Sequence, residues 1–421
     1  MNSRSLIPGL ALLLHAALPA AATEGYFEHG YGTQSKGMAG VGEAYAADGL
    51  AVATNPASAI AVGDRLDVDV DYFAPYRQAS ISGNAFGPNQ TFSGNDSKDF
   101  VIPEFAYIRA FGADWAGGVA VYGNGGMDTA YARNPYARFG ATGKAGVDLQ
   151  QLFVSPTIAY QFLQGQSIGL SVNLVDELFK AQGIGAFSGF SDAPGAVSDR
   201  GRDSALGGGV RIGWRGRITS WLVLGASWQS KTYVGTLDKY KGLFAGNGSF
   251  DVPSTYGAGA VVTPIDGLDL AFDVRRIDYR DVPAVGDAFQ LLLSGKPLGS
   301  DNGPGFGWKD TTTAKVGLNY KLAPDWQIRA GYAYTTEVVP RTQTFLNVLA
   351  PGVIQHELTA GTTWRVAPAH EISVYTLYTL PTTVHGGLSI PGGFPPAGFG
   401  GGEVNVRLQE ISYGIGYSWH I

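Results

Sequence analysis

The sequence predicts an all-β protein, a transmembrane antiparallel β-barrel of about 14 strands, and three observations carry that expectation. Long segments alternate apolar residues with small, polar or charged ones, the period of two that belongs to strands and not to helices. Many of these segments reach the roughly 9 to 11 residues that a tilted membrane strand needs, against about 5 or 6 in an average strand. The connections between them alternate in length, short turns with long loops, as in outer-membrane barrels.

The first residues, "MNSRSLIPGLALLLHAALPAAATEG", carry Arg4, an apolar run from Leu6 to Leu18, and small residues with Ala20 and Ala22 placed for cleavage before Thr23. The run is too short to span a bilayer, so residues 1–22 read as a secretory signal peptide. Beyond it no run of about 18 apolar residues occurs, and any membrane crossing must use strands. The 421 residues contain no cysteine, which excludes disulfides and thiolate metal sites. The net charge of −6 is spread along the chain without a basic stripe, which argues against nucleic acid as a partner. No metal site and no cofactor is expected.

Alternation starts at "RLDVDVDY", Arg65 to Tyr72, where Leu66, Val68, Val70 and Tyr72 oppose Asp67, Asp69 and Asp71. It continues in 152–162, 167–175, 267–274, 313–322, 326–334, 356–366 and 372–380. It ends with Ile411, Tyr413, Ile415, Tyr417, Trp419 and Ile421 on one parity. Such a face can meet either a protein core or lipid. A basic residue turned to lipid at mid-membrane costs roughly 2–4 kcal/mol and an acid somewhat less. The apolar parity is therefore expected outside and the three aspartates inside. Short turns are expected at 322–325 and 366–369, and long loops at 127–147, 183–203, 237–250, 284–307, 340–355 and 387–403. "AFQLLLSG" and "GLSIPGGFPPAGFGGG" in these loops would expose apolar surface, which commonly marks a ligand surface.

With these residues in view the mature chain resembles the FadL family of outer-membrane transporters for long-chain fatty acids and other hydrophobic compounds. The resemblance rests on "SKGMAGVGEAYAADGLAVATNPAS", on "VAVYGNGGMDTAY" in the third strand, on "SIGLSVNLVDELFKAQG" in the fifth, and on "WKDTTTAKVGLNYKLAPDWQIRAGYAYTTEVVP" followed by "ELTAGTTW". It implies a monomeric barrel of residues 65–421 in the bacterial outer membrane, among its lipid and lipopolysaccharide, with residues 23–64 folded inside as a hatch. It also implies an inward kink of the third strand, here Tyr122, Gly123, Asn124, Gly125 and Gly126, through which ligand leaves sideways into the membrane. Glycine suits that role, because it tolerates a bulge and interrupts ladder pairing.

Asn55, Pro56 and Ala57 form an ordinary helix start, Asn as N-cap and Pro at the first helical position; the resemblance adds that this turn anchors the hatch. Gly37, Gly40 and Gly42 are expected to let the hatch pack closely against the wall. A fatty-acid carrier needs an apolar slot and a cation or donor for the carboxylate. Lys180, Arg341 and His356 are the ligand-binding candidates, since each falls near segments that border the pocket in the family. The chain departs from the fatty-acid branch at "NVLAPGVIQHELTAG", which lacks an acidic-basic run, and at Leu178, where a basic residue is expected. Neutral monoaromatic or alkane hydrocarbons are thus the alternative substrates. The terminal Ile421 also replaces the family's final aromatic. An enzyme is not expected: the five mature histidines are scattered singly, and neither a zinc-protease nor a P-loop motif occurs. A lipid hydrolase stays open as a second alternative because a Ser/His pair is distant in sequence.

Overall fold

The computed structural model describes residues 24–394 and 398–421; the expected signal peptide and Thr23 lie outside them. Fourteen long strands form the wall: β1 Arg65–Ser82, β2 Phe100–Ala110, β3 Trp115–Tyr131, β4 Ala145–Leu163, β5 Gln166–Gln182, β6 Asp203–Arg217 and β7 Leu222–Gln229. The second half comprises β8 Thr255–Ile265, β9 Leu268–Ile277, β10 Thr311–Ala323, β11 Trp326–Thr335, β12 His356–Ala367, β13 His370–Thr379 and β14 Glu403–His420. Each pairs antiparallel with the next, and β14 returns to β1 from Arg65↔His420 to Ser82↔Glu403. Closure joins the first strand to the last, and pairing of backbone groups between strands is what lets strands cross a hydrocarbon layer. Among the described residues no helix is long and apolar enough to do so.

The parity of β1 decides which way the barrel is turned out. Asp67, Asp69 and Asp71 are buried, whereas Val68 and Val70 are 42% and 40% exposed. On β14 Ser412 and Ser418 point in while Tyr413, Ile415, Tyr417 and Trp419 point out. Exposed Trp115, Trp221, Trp326, Trp364 and Trp419 all sit beside short turns or the C-terminus. They form an aromatic girdle at that end, where an amphipathic ring suits the boundary between lipid and water.

Long connections follow odd-numbered strands and short ones follow even-numbered strands. Two of the expected loop bounds need correction. Residues 127–131 belong to β3 and 145–147 to β4, because Met127 to Tyr131 go on pairing with Leu149 to Ala145. A further long connection, 83–99, was hidden by the four-residue strand Gln90–Ser93, which folds back onto β1. The apolar loop segments also behave differently from expectation. Phe289, Leu292, Ile390 and Phe399 are buried, leaving Leu293, Leu388 and Phe394 exposed. They are covered because five loops meet over the mouth of the barrel. There Tyr136, Phe139, Phe187, Phe289, Phe345 and Phe399 pack with centroids 5.1–6.3 Å apart, mostly in the edge-on geometry that ring quadrupoles favour.

Candidate ligand-binding site

Residues 24–64 contain only short helical turns, Thr33–Lys36, Gly49–Ala53, Pro56–Ser58 and Ala59–Val62. Their backbone groups must find partners elsewhere, and the inward acids of the wall supply them. Asp67 accepts from Gly49 N at 2.9 Å, Asp69 from Thr33 N at 2.7 Å, and Glu104 from Gly32 N at 2.9 Å. Across the bore Asp273 accepts from Gly42 N and Glu43 N at 2.7 and 3.0 Å. Fully buried Lys36 bonds Asp71 and lies 3.1 Å from Glu104 and 3.3 Å from Glu28. Lys315 of β10 pairs with Glu24 at 2.7 Å. Charges this deep are tolerated only when paired, so the wall's inward sequence and this segment are matched.

Asn55 bonds both within its own segment and to the wall. Its Oδ1 accepts from Ala57 N at 3.1 Å as a cap, and its Nδ2 donates to Glu43 O at 2.7 Å and to Trp214 O of β6 at 2.9 Å. Pro56 opens the short helix, and Ala57 O accepts from Ser167 of β5 at 3.1 Å. The wall presents Gly169 and Gly213 at this turn, where any side chain would collide with Pro56 or Asn55. Gly37 packs closely on the wall: its Cβ would lie 3.2 Å from Gly361 of β12. Gly40 adopts a φ of +72° and closes against His29, and Gly42 faces Thr54, both within the segment itself. These two meet the wall through backbone hydrogen bonds, Gly42 N donating to Asp273 at 2.7 Å and Lys315 donating to Gly40 O at 3.3 Å.

The third strand is irregular within residues 122–126. Pairing of β3 with β4 skips one residue between Gly123 and Gly125, so Asn124 is a bulge. Pairing with β2 runs from Ala110↔Ala116 to Phe105↔Val121 and stops. Beyond that point segment 24–64 takes the strand's free groups: Glu28 N donates to Asn124 O at 3.0 Å and Gly126 N to Tyr26 O at 2.8 Å. Asn124 turns its side chain inward between Tyr31 and Gln151, and Tyr122 stacks on Phe153. The next β3 contact on that side is with Gly94 and Asp96, at Ala130.

Where the β2 and β3 ladders part, a narrow cleft is lined by Phe73, Pro75, Arg77, Phe100, Gly126, Met127, Asp128, Trp308, Leu349, Leu408, Glu410 and nearby backbone. A second, smaller and more enclosed one, between Val147, Phe179, Leu243, Phe244, Phe306 and Leu346, shares Leu349 with it. The loop carrying Leu349 is held by β3, as Thr129 and Tyr131 donate to Leu349 O and Val348 O at 2.8 Å each. Arg77 is the cation of the first cavity, and Asp128 holds it at 3.0 Å.

The three basic candidates are not brought together and do not line either cavity. Lys180 and His356 fall on the outward parity of β5 and β12, because their neighbours Phe179 and Glu357 point in. His356 Nδ1 hydrogen-bonds the outward Tyr332 hydroxyl at 2.8 Å. Arg341 lies exposed in a loop, donating to His385 O at 2.9 Å. The residues that sequence reasoning missed are Arg77, Asp128 and Glu410. Arg77 and Glu410 could have been found, since each is a charge on the inward parity of a strand whose other parity is apolar. One G-x-S-x-G spacing, Gly165 to Gly169, occurs at the start of β5. Its Ser167 hydroxyl meets the Ala57 and Arg215 carbonyls, at 3.1 and 3.3 Å, and no histidine, so it lacks a base.

Residues 14–384 match the family model described as "Outer membrane protein transport protein (OMPP1/FadL/TodX)". No curated protein matches the chain. Among solved structures, the toluene transporter TodX of Pseudomonas putida superimposes with a TM-score of 0.68 at 19% identity, over 95% of this chain and 100% of that one. A FadL homologue of Pseudomonas aeruginosa gives 0.68 at 16%, over 94% and 99%. The toluene transporter TbuX of Ralstonia pickettii gives 0.62 at 16%, over 93% and 98%. At these identities the likeness is one of fold.

Proposed function

The chain belongs to the FadL/TodX family of outer-membrane transport proteins, which carry hydrophobic compounds and are not enzymes, and from that premise we propose a route and a substrate class. Residues 24–64 act as a hatch that blocks the bore. Ligand leaves water at the apolar loops, enters the cavity by Phe179 and Leu346 (the upper one), passes Leu349 to the cavity by Arg77 and Glu410 (the lower one), and exits between β2 and β3 into the bilayer. The observation that carries this reading is the end of the β2–β3 ladder at Phe105↔Val121, beside the lower cavity. No energy source is required: each methylene taken from water gains about 0.8 kcal/mol, and lipid is an equally apolar destination. The single barrel suffices, and lipopolysaccharide headgroups, which resist direct partition of such solutes, make a protein route useful.

The substrates that fit are small neutral hydrocarbons, monoaromatics above all. A fatty-acid carboxylate needs a cation, yet Arg77 is already held by Asp128, and Glu410 adds an acid to the same cavity. The toluene-transporting relatives are in keeping with this choice.

The decisive experiment fills the gap. A Cβ on Gly123 would have only Ile102 of β2 in reach, at 3.5 Å, so Gly123→Trp places an indole between the two strands. Uptake of radiolabelled toluene by cells with no other such channel should fall by an order of magnitude or more, while the barrel still migrates as a folded species in unheated gels. Undiminished uptake would remove the sideways exit. Mass spectrometry of compounds that co-purify from cells fed oleate and toluene together should find toluene.

A further inference from the structure

We propose that the lower cavity is built to prefer aromatics bearing one hydroxyl group, phenols in particular, over both bare hydrocarbons and carboxylates. The inference deepens the transport reading above and rests on it. Its basis is a pair of polar atoms on residues lining a chamber whose other side chains, Asp128 apart, are apolar. Arg77 and Glu410 are each 2% exposed and both line the cavity. Pro75↔Glu410 and Arg77↔Leu408 are paired across β1 and β14, so the two side chains share the inward face as diagonal neighbours, within reach for long side chains.

Arg77 uses one terminal nitrogen on Asp128 and the other on the Ser97 carbonyl. Its Nε is buried and, among the described residues, has no hydrogen-bond partner; the same is true of Glu410 Oε2. Two residues that line the same cavity thus each carry an unused polar atom, an N–H donor on Arg77 and an acceptor on Glu410. A buried polar atom without a partner is costly, and a ligand that satisfies both is favoured over one that satisfies neither. A hydroxyl does this: its O–H donates to Glu410 and its lone pair accepts from Arg77 Nε. The ring would lie against Phe73, Phe100, Met127 and Trp308. A methyl group leaves both atoms unpaired, and a carboxylate brings a negative charge against Glu410 and Asp128. Selectivity of this kind is large because it arises from polar groups left stranded by the wrong ligand.

The test compares initial uptake rates of radiolabelled p-cresol, toluene and p-toluate by cells expressing the full protein. The wild-type protein should carry p-cresol fastest and p-toluate slowest. In Glu410→Leu the ratio of p-cresol to toluene uptake should fall about tenfold, the worth of one hydrogen bond to a charged group. Glu410→Gln, which keeps a carbonyl acceptor, should lose less, and serves if the leucine variant fails to fold. An unaltered ratio in either folded variant, or p-toluate entering as fast as p-cresol, would overturn the inference while leaving the transport reading standing. If none of the three probes enters faster with the protein than without it, both fall.

Discussion

The hydroxyl of Tyr31 donates to Asn124 Oδ1 at 3.1 Å, joining the N-terminal segment to the one residue that β3 carries in excess of its partner strand. The backbone bonds Glu28 N to Asn124 O and Gly126 N to Tyr26 O flank it. A displaced segment would therefore strip the bulge of its partners, so the position of residues 24–64 and the pairing of β3 are coupled. Tyr31→Phe removes a hydrogen bond worth about 1 kcal/mol. Amide exchange at Glu28 and Gly126 should then speed about fivefold, the equivalent of that energy when opening is local. Unchanged exchange at both amides would mean that the segment and the bulge are independent.

The glycines of the kink are not equivalent. A Cβ on Gly125 would run into the backbone carbonyl of Tyr26, whereas one on Gly123 faces open space up to Ile102. Gly125→Val should accordingly push the N-terminal segment away from β3 and raise ion conductance in a planar bilayer. Gly123→Val should leave conductance as it was. Identical traces for the two variants would contradict this division.

Lys36 is surrounded by Asp71, Glu104 and Glu28. Replacing it with Met leaves three buried carboxyl groups without their shared cation, a loss that typically costs about 3–5 kcal/mol. The fold of the barrel survives on its own strand ladders, so the cost falls on docking of residues 24–64. Lys36→Met should show protease cleavage within that segment and a conductance approaching that of a hatch deletion. A resistant segment and a silent bilayer would show that the ammonium is dispensable.

Docking should also depend on pH. Burial, with Asp273 alongside, pushes the Glu43 carboxyl up to about 8, and burial with Asp67 alongside pushes Asp48 up to about 7. Both folded values lie above the unfolded ones, near 4. Their contribution to docking is therefore complete below about pH 4 and is lost as pH rises through 7 and 8. Conductance should increase between pH 6 and pH 9, and Glu43→Gln should flatten that rise. A current that falls over this range would reverse the sign of the argument.

Alternation alone determined the strands, the face each turns to lipid, and the alternation of short and long connections, because a period of two is written locally and lipid tolerates only one assignment of charges. The inward aspartates of "RLDVDVDY" were legible for the same reason, whereas the irregularity at "YGNGG" was indicated by the family resemblance, with glycine permitting it. What the acids hold was not: that Asp69 meets Thr33 and Asp273 meets Gly42 depends on how a segment without regular structure threads the bore. The basic candidates failed on parity and position. One residue's shift in register turns a side chain from bore to lipid, as at His356, and nearness in sequence to a pocket-forming segment says nothing about that. Only the closed barrel brought Arg77 and Glu410, 333 residues apart, onto one face beside the gap. Closure is a relation between the first strand and the last, and no local pattern encodes which of their inward residues become neighbours.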